Sequence, residues 1–258
     1  MNMNHIRRGS GAALVLVHGL GGSSRSWSPV IDDLATEREV IAVDLPGFGD
    51  TPPLASSPTI AALTDALRSF LDEHDLAEAN LVGSSMGARM VLELARRGHK
   101  GNVVALDPGG FWNDREVRYF QLTLGPSIRL VRALAPVIDQ LAANPIARTA
   151  LLGQISARPW ALPANAVANE LRGFATSPSM DDAFHELVNG PRQEGASTTP
   201  GSVVIGWGRR DGVTLPRQAK RAQRAFPGSR LEWFDSCGHF PHWDAPQAAT
   251  RLILQSTA

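Results

Sequence analysis

Several things are scarce in this chain, and each scarcity narrows what it can do. Cys237 is its one cysteine in 258 residues, so no disulfide can close within the chain and nothing signals an oxidising compartment. Cys237 reads as a small packed residue rather than a reactive thiol. Net charge is absent too: 25 Lys and Arg offset 25 Asp and Glu, so no polyanionic partner, nucleic acid included, is implied. No apolar run approaches membrane-spanning length. Arg7 and Arg8 ahead of Ala12 through Val17 have the order of a signal peptide, but that apolar run is short and leads straight into His18-Gly19, so it reads as a core strand. His5, His74, His99 and His185 are dispersed without metal-ligand spacing. Gly19-Leu20-Gly21-Gly22 departs from the dinucleotide fingerprint. No cofactor and no metal are expected, and a small molecule is the partner left.

What the chain does have is Gly83-Ser84-Ser85-Met86-Gly87, set between the strand-like end Asn80-Leu81-Val82 and a helix-like run from Met86 to Arg97. In that run Met90, Val91, Leu94 and Ala95 share one face. A serine on so sharp a strand-to-helix turn is forced into an unfavourable backbone conformation that lifts its hydroxyl above the sheet. Glycines two residues either side avoid collision with neighbouring backbone. Ser85 is therefore the candidate nucleophile.

A serine needs a base, an orienting acid and donors for an oxyanion. His239, in Cys237-Gly238-His239-Phe240, follows the apolar run Leu231 to Phe234 and precedes a last helix. Asp211 follows Ser202 to Ile205 in the same way. The order Ser85, Asp211, His239 suits a nucleophile on this kind of turn and differs from that of other serine hydrolase architectures. Val15 through Gly22 ends a strand in a glycine-rich loop, and the backbone amides of Leu20 and Met86 are the expected oxyanion donors.

With these segments assembled the chain resembles the α/β-hydrolase family over nearly its whole length. The resemblance is carried by His18-Gly19-Leu20-Gly21, Asp44-Leu45-Pro46-Gly47-Phe48-Gly49, the Ser85 pentapeptide, Asp211 and Gly238-His239, in that order. Five short matches in the right element context are far more specific than any one of them. Ser85 narrows the resemblance, since the related dehalogenases and epoxide hydrolases carry aspartate at that turn. Serine points to esterases, lipases, lactonases and carbon–carbon bond hydrolases. His18 reads as shaping the oxyanion loop, Asp44 as fixing the turn that follows it, and His242 as a loop residue.

Strand and helix signals alternate along the first part, with strands near 12–18, 39–45, 79–84 and 102–107 and helices near 27–36, 59–74 and 86–98. Such alternation means a mostly parallel sheet flanked by helices. The rhythm resumes with a strand at 202–207, a helix at 216–226, a strand at 230–235 and a closing helix at 245–255. Residues 111–199 hold no convincing strand and read as helices broken by Pro126, Pro136, Pro145, Pro159, Pro163 and Pro178. The family places a helical cap between its sixth and seventh strands, so the resemblance implies a core of 1–110 and 200–258 and a cap of 111–199. That cap has eight basic and eight acidic side chains, Glu170 among them, and gives no electrostatic hint of substrate. Its Trp112, Phe120, Trp160 and Phe174 would suit an apolar one. Only about eleven residues precede strand 12–18, so the antiparallel hairpin with which many relatives begin is expected to be shortened or absent, and the sheet to have fewer than eight strands.

The resemblance implies a cytoplasmic serine hydrolase acting on a small or medium, largely apolar carboxylic ester. Some relatives carry the acid after strand six, where this chain has Asp107, but Asp211 is the expected acid. A carbon–carbon hydrolase of aromatic-ring degradation is the alternative. Those enzymes usually have asparagine just before the serine and glycine after the second motif glycine, where this chain has Ser84 and Ala88. A non-catalytic ligand receptor on the same fold is a further alternative, but such proteins commonly lose a triad member and none is missing here.

Overall fold

A computed structural model describes residues 3–258. Seven strands are formed: β1 (His5–Arg8), β2 (Ala13–Val17), β3 (Glu39–Val43), β4 (Asn80–Ser84), β5 (Val103–Leu106), β6 (Val203–Gly208) and β7 (Arg230–Phe234), in the spatial order β1-β3-β2-β4-β5-β6-β7. Strands β2 to β7 run parallel, and β1 alone pairs antiparallel, with His5 opposite Val43. Among the described residues the opening hairpin of many relatives is thus shortened, as expected, to one strand. The helices are α1 (Ile31–Leu34), α2 (Ile60–Glu73), α3 (Met86–Arg96), α4 (Asp114–Ala133), α5 (Ile138–Ala143), α6 (Pro145–Leu152), α7 (Ala164–Thr176), α8 (Met180–Asn189), α9 (Ala219–Ala225), α10 (Pro241–Asp244) and α11 (Pro246–Ser256). No helix among the described residues is long and apolar enough to cross a membrane.

The inner strands β2 to β6 are largely apolar on both faces because both are covered, as a parallel sheet requires. Val15, Val17, Ile41, Val43 and Leu81 point to one side and pack with Leu63 and Leu67 of α2 and Met90 and Leu94 of α3. The alternate residues Leu14, Leu16, Val40, Ala42, Val82 and Val104 point to the other, against Trp27, Leu34 of α1 and Ile253 of α11. This three-layer arrangement brings the carboxyl ends of β2, β4, β6 and β7 to one edge. Helices α4 to α8 all lie in the segment between β5 and β6.

Two local expectations were not met. The helix expected at 27–36 is instead a 3-10 turn at Ser24–Trp27 followed by the single turn of α1. Pro29 lies between them and cannot donate into a continuing helix. Conversely, Pro126 does not break α4, which runs through it for 20 residues. The ring sits on the exposed face, and the Thr123 and Ser127 hydroxyls on either side donate to the carbonyls of Tyr119 and Thr123. Pro126 removes the donor to the Leu122 carbonyl, and both residues are exposed, so the loss falls on the solvent side of the helix. The other prolines of this segment lie at helix starts or between helices, where they stop one element and begin the next.

The close approach that bears most directly on the turn before α3 is that of α3 to the end of β2. A Cβ on Gly87 would lie 2.2 Å from the Val17 carbonyl oxygen and 2.5 Å from that of His18. Both obstacles are backbone of the central sheet and cannot swing aside. Gly87→Ala should therefore destabilise the protein by about 3 kcal/mol or more, at the upper end of overpacking costs, read from urea unfolding. A loss below about 1 kcal/mol would mean that α3 can retreat at the small end of that range.

Candidate active site

Ser85 occupies the turn between β4 and α3 with φ 54 and ψ −110, a left-handed conformation that is strained for a residue with a side chain. Its N–H donates to the Leu106 carbonyl at 2.9 Å, and its carbonyl accepts from Arg89. A Cβ at Gly83 would meet the Gly87 carbonyl oxygen at 2.3 Å, so the two motif glycines are packed against each other across the serine. The hydroxyl, held above the sheet edge, lies 2.8 Å from Nε2 of His239.

His239 follows β7 and is buried. Its Nδ1 lies 2.9 Å from Oδ2 of Asp211. With Nδ1–H donating to that carboxylate, Nε2 is free to accept the serine proton. Asp211 is fixed in turn: its Oδ1 accepts from the amides of Val213 (2.7 Å) and Thr214 (3.0 Å), and its Oδ2 from the Thr214 hydroxyl at 2.6 Å. Ser85, Asp211 and His239 thus form one continuous chain of hydrogen bonds.

Asp107 stands beside this chain but outside it. It too has a positive φ, of 48. Its Oδ1 accepts from Gly208 N–H at 2.8 Å, while Oδ2 is buried without a partner. Burial, and then the charge of Asp211, push its pKa well above the usual carboxylate range. Asp107, Asp211 and His239 bring three possible metal-ligand atoms within 4.8 Å of one another. The histidine's nitrogens are already committed to Asp211 and Ser85, and a zinc or similar ion needs a fourth donor and ionised ligands. The cluster fits a proton relay better than an ion.

The Leu20 loop and the start of α3 flank the serine. Their turns pair Gly22 N–H with Gly19 O and Ser85 N–H with Leu106 O, which leaves the Leu20 and Met86 amides outside those pairings. His18 Nδ1 lies 2.7 Å from the Gly19 carbonyl, and its Nε2 accepts from Leu45 N–H at 3.0 Å. Burial lowers its pKa and keeps it neutral. Asp44 accepts from Ser24, Asp50 and Asn4. Although burial pushes its pKa up, those donors outweigh it and hold the carboxylate below its usual value. His242, expected in a loop, lies within α10 and stacks on Trp27 at 4.6 Å. Burial drives its pKa down to about 3. The Cys237 thiol is buried, which with Asp244 nearby pushes it up to about 12, so it stays protonated.

Asp244, which the sequence did not mark, holds the His239 loop in place. Its Oδ2 accepts from the amides of Gly238 (2.7 Å) and Ala157 (2.8 Å), and its Oδ1 from Ser156 Oγ at 2.5 Å. The His239 amide itself donates to the Ile155 carbonyl at 2.6 Å. The segment between α6 and α7 is therefore stitched to the backbone on both sides of the histidine. A small cavity of about 20 Å³ reaches Ser85 and His239, lined also by Leu20, Phe120, Leu124 and Phe174.

Residues 14–251 match the alpha/beta hydrolase family, and the chain belongs to it. An uncharacterized protein of Mycobacterium tuberculosis is 28% identical over 254 residues, spanning 92% of this chain and 73% of its own length. Among solved structures, a thermophilic esterase from Thermogutta terrifontis superposes with a TM-score of 0.76 at 18% identity, covering 98% of this chain and 92% of that one. A meta-cleavage product hydrolase from Pseudomonas fluorescens gives 0.76 at 20% identity, covering 98% and 93%. At such identities the likeness is one of fold.

Glu170 is the most conspicuous residue that sequence reasoning passed over, counting it only among the acids of 111–199. On α7 it shares a face with Val167, Leu171 and Phe174, so an acid at i, i+3, i+4, i+7 spacing within an apolar stripe was the available signal. It is 5% exposed, and among the described residues no cation pairs with it. Ser26 Oγ donates to its Oε2 at 2.6 Å. Burial raises its pKa to about 7, against which the Ser26 bond works. Because the folded chain holds this proton more tightly than the unfolded one, stability falls as pH rises from 4.5, the ordinary value for a glutamate, towards 7 and is then level. Replacing Glu170 with Gln removes that fall. The stability of Glu170→Gln relative to wild type should rise by on the order of 3 kcal/mol between those limits, measured by urea unfolding at a series of pH values. A difference independent of pH would contradict the shift.

Proposed function

We propose that this protein is a serine hydrolase that cleaves a small or medium, largely apolar carboxylic ester through an acyl-enzyme on Ser85. The observation that carries the reading is the unbroken Ser85–His239–Asp211 hydrogen-bond chain beside a strained serine. Family membership supports hydrolysis in general terms. The thermophilic esterase shares the fold.

In this mechanism His239 Nε2 takes the hydroxyl proton as Ser85 Oγ attacks the acyl carbon. Asp211 stabilises the imidazolium so formed and keeps the ring in the tautomer that can accept again. The amides of Leu20 and Met86 hold the oxyanion of the tetrahedral intermediate. Collapse expels the alcohol, which leaves with the proton from His239. Water, deprotonated by the same nitrogen, then attacks the acyl-enzyme and releases the acid and the free serine.

We read residues 111–199 as a cap over this chemistry. The cavity at Ser85 holds little more than one water molecule, at about 20 Å³. Substrate entry therefore requires side chains such as Phe120 and Phe174 to give way. The described lining of that cavity contains no arginine or lysine, so it offers nothing to grip the carboxylate of a ring-cleavage product. Glu170 lines the adjoining cavity and, where ionised above about pH 7, would repel such a group. Both points favour ester over carbon–carbon hydrolysis, as do Ser84 and Ala88 beside the nucleophile.

Two outcomes test the reading. Ser85→Ala should fold normally and lose ester turnover and fluorophosphonate labelling by about 10⁴-fold or more. Asp211→Asn should cost a comparable factor, whereas Asp107→Asn, which mimics the protonated acid already present, should cost little. A crippled Asp107→Asn with an active Asp211→Asn would move the acid to the end of β5.

Substrate class is decided by kcat/KM on one preparation. Short-chain aryl esters should be turned over faster than a vinylogous ring-cleavage diketone, because the ester needs only the triad, two amides and an apolar cleft. A diketone value above that of the best ester would exchange the two readings.

A further inference from the structure

Beyond Phe174 a second cavity of about 20 Å³ adjoins the one at Ser85 and shares Leu124, Ile155, Phe174 and Phe240 with it. Apart from Ser127, whose hydroxyl donates to the Thr123 carbonyl, its walls are otherwise aliphatic and aromatic, and Glu170 is the one charged side chain among them. The Glu170 carboxyl lies near the oxyanion loop: a Cβ on Gly22 would be 3.3 Å from its Oε1. Ser26 serves Oε2 and no other protein donor to the carboxyl is found among the described residues.

A purely structural role explains this poorly. A carboxylate offers about four acceptor positions, and one hydroxyl fills one of them. A glutamine would keep the Ser26 bond without the desolvation that burying a carboxylate entails. Buried, uncompensated polar groups beside an apolar cleft are the usual means by which a site rejects ligands lacking the matching group. We propose that Glu170 is a specificity-determining residue whose carboxyl receives a hydrogen-bond donor, a hydroxyl or an ammonium group, at the far end of an otherwise apolar substrate chain. This rests on the ester-hydrolase reading and narrows it: the preferred ester is tipped with a donor at the end remote from the scissile bond. A plain alkyl tip leaves the carboxyl unpaired, and a carboxylate tip meets like charge.

The experiment uses aryl esters of graded acyl length whose chains end in methyl, hydroxyl or ammonium, with a second set carrying those tips on the alcohol side. kcat/KM is measured for wild type, Glu170→Gln and Glu170→Leu. At one or more lengths wild type should favour a donor tip over methyl by about tenfold or more. Glu170→Gln should keep a preference for hydroxyl and lose that for ammonium. Glu170→Leu should favour methyl. Should Glu170→Leu fail to fold, the glutamine variant alone separates the two tips. A lowered melting temperature with unchanged tip ratios in the variants would assign Glu170 a structural role and overturn the proposal, as would a wild type indifferent to the tip. Titrating Ser85→Ala with the matching acids and alcohols separates the two levels of inference. Tighter binding of donor-tipped ligands, with no ester turned over by wild type, would sustain the role of Glu170 and remove ester hydrolysis. Turnover without any tip preference would do the reverse.

Discussion

The contact on which the rest of this molecule depends is backbone against backbone, where the first turn of α3 meets the end of β2. Gly87 lets that helix come so close that no side-chain atom fits between it and the Val17 and His18 carbonyls. The closeness fixes the turn before it, and the turn fixes Ser85 in its left-handed conformation. Moving α3 outward by an ångström would relax the serine, shift the Met86 amide away from the Leu20 loop and lengthen the bond to His239. Strain of this kind persists only where the surroundings over-determine it. Here the surroundings are the centre of a sheet buried on both faces.

The other half of the site is held by polar contacts rather than by packing. Asp211 is oriented by two amides and a hydroxyl, and Asp244 gathers the amides on either side of the gap between the His239 loop and the helical segment. Such buried carboxylates are tolerable because several donors meet each one. Asp107 shows the contrast. With one donor and an acidic neighbour it is better kept protonated. Its proton relieves the repulsion that a second charge beside Asp211 would create.

What could be read in the sequence was what short-range geometry dictates. The Ser85 pentapeptide, the His18 loop, Asp211 and Gly238-His239 each sit where a strand ends in a sharp turn, and turns constrain residue type locally. The alternation of strands and helices was legible for the same reason, since period and punctuation are local. The interior of 111–199 was not so legible. Pro126 looked like a break because its place on the solvent side depends on where the helix turns its face. The helix near 27 shrank because Pro29 outweighed the apolar spacing around it. Asp244 and Glu170 were missed because decisive partners lie far away in sequence: Asp244 bonds Ser156 across 88 residues, and Glu170 bonds Ser26 across 144. An acid in a helical apolar stripe marks something unusual, but only the fold reveals what stands opposite it.

The bond from the His239 amide to the Ile155 carbonyl ties timing to geometry. Ile155 belongs to the segment between β5 and β6 that we propose as a cap, so on that reading the imidazole takes part of its seat from the lid. If the lid lifts at this corner, the histidine loses an anchor in the same movement. Exposure and reactivity then become mutually exclusive states of one serine. On the proposed reading, solvent or a stray electrophile arriving through such an opening would meet a hydroxyl whose base has lost that anchor, and the nucleophile would be primed only after the door had shut behind its guest.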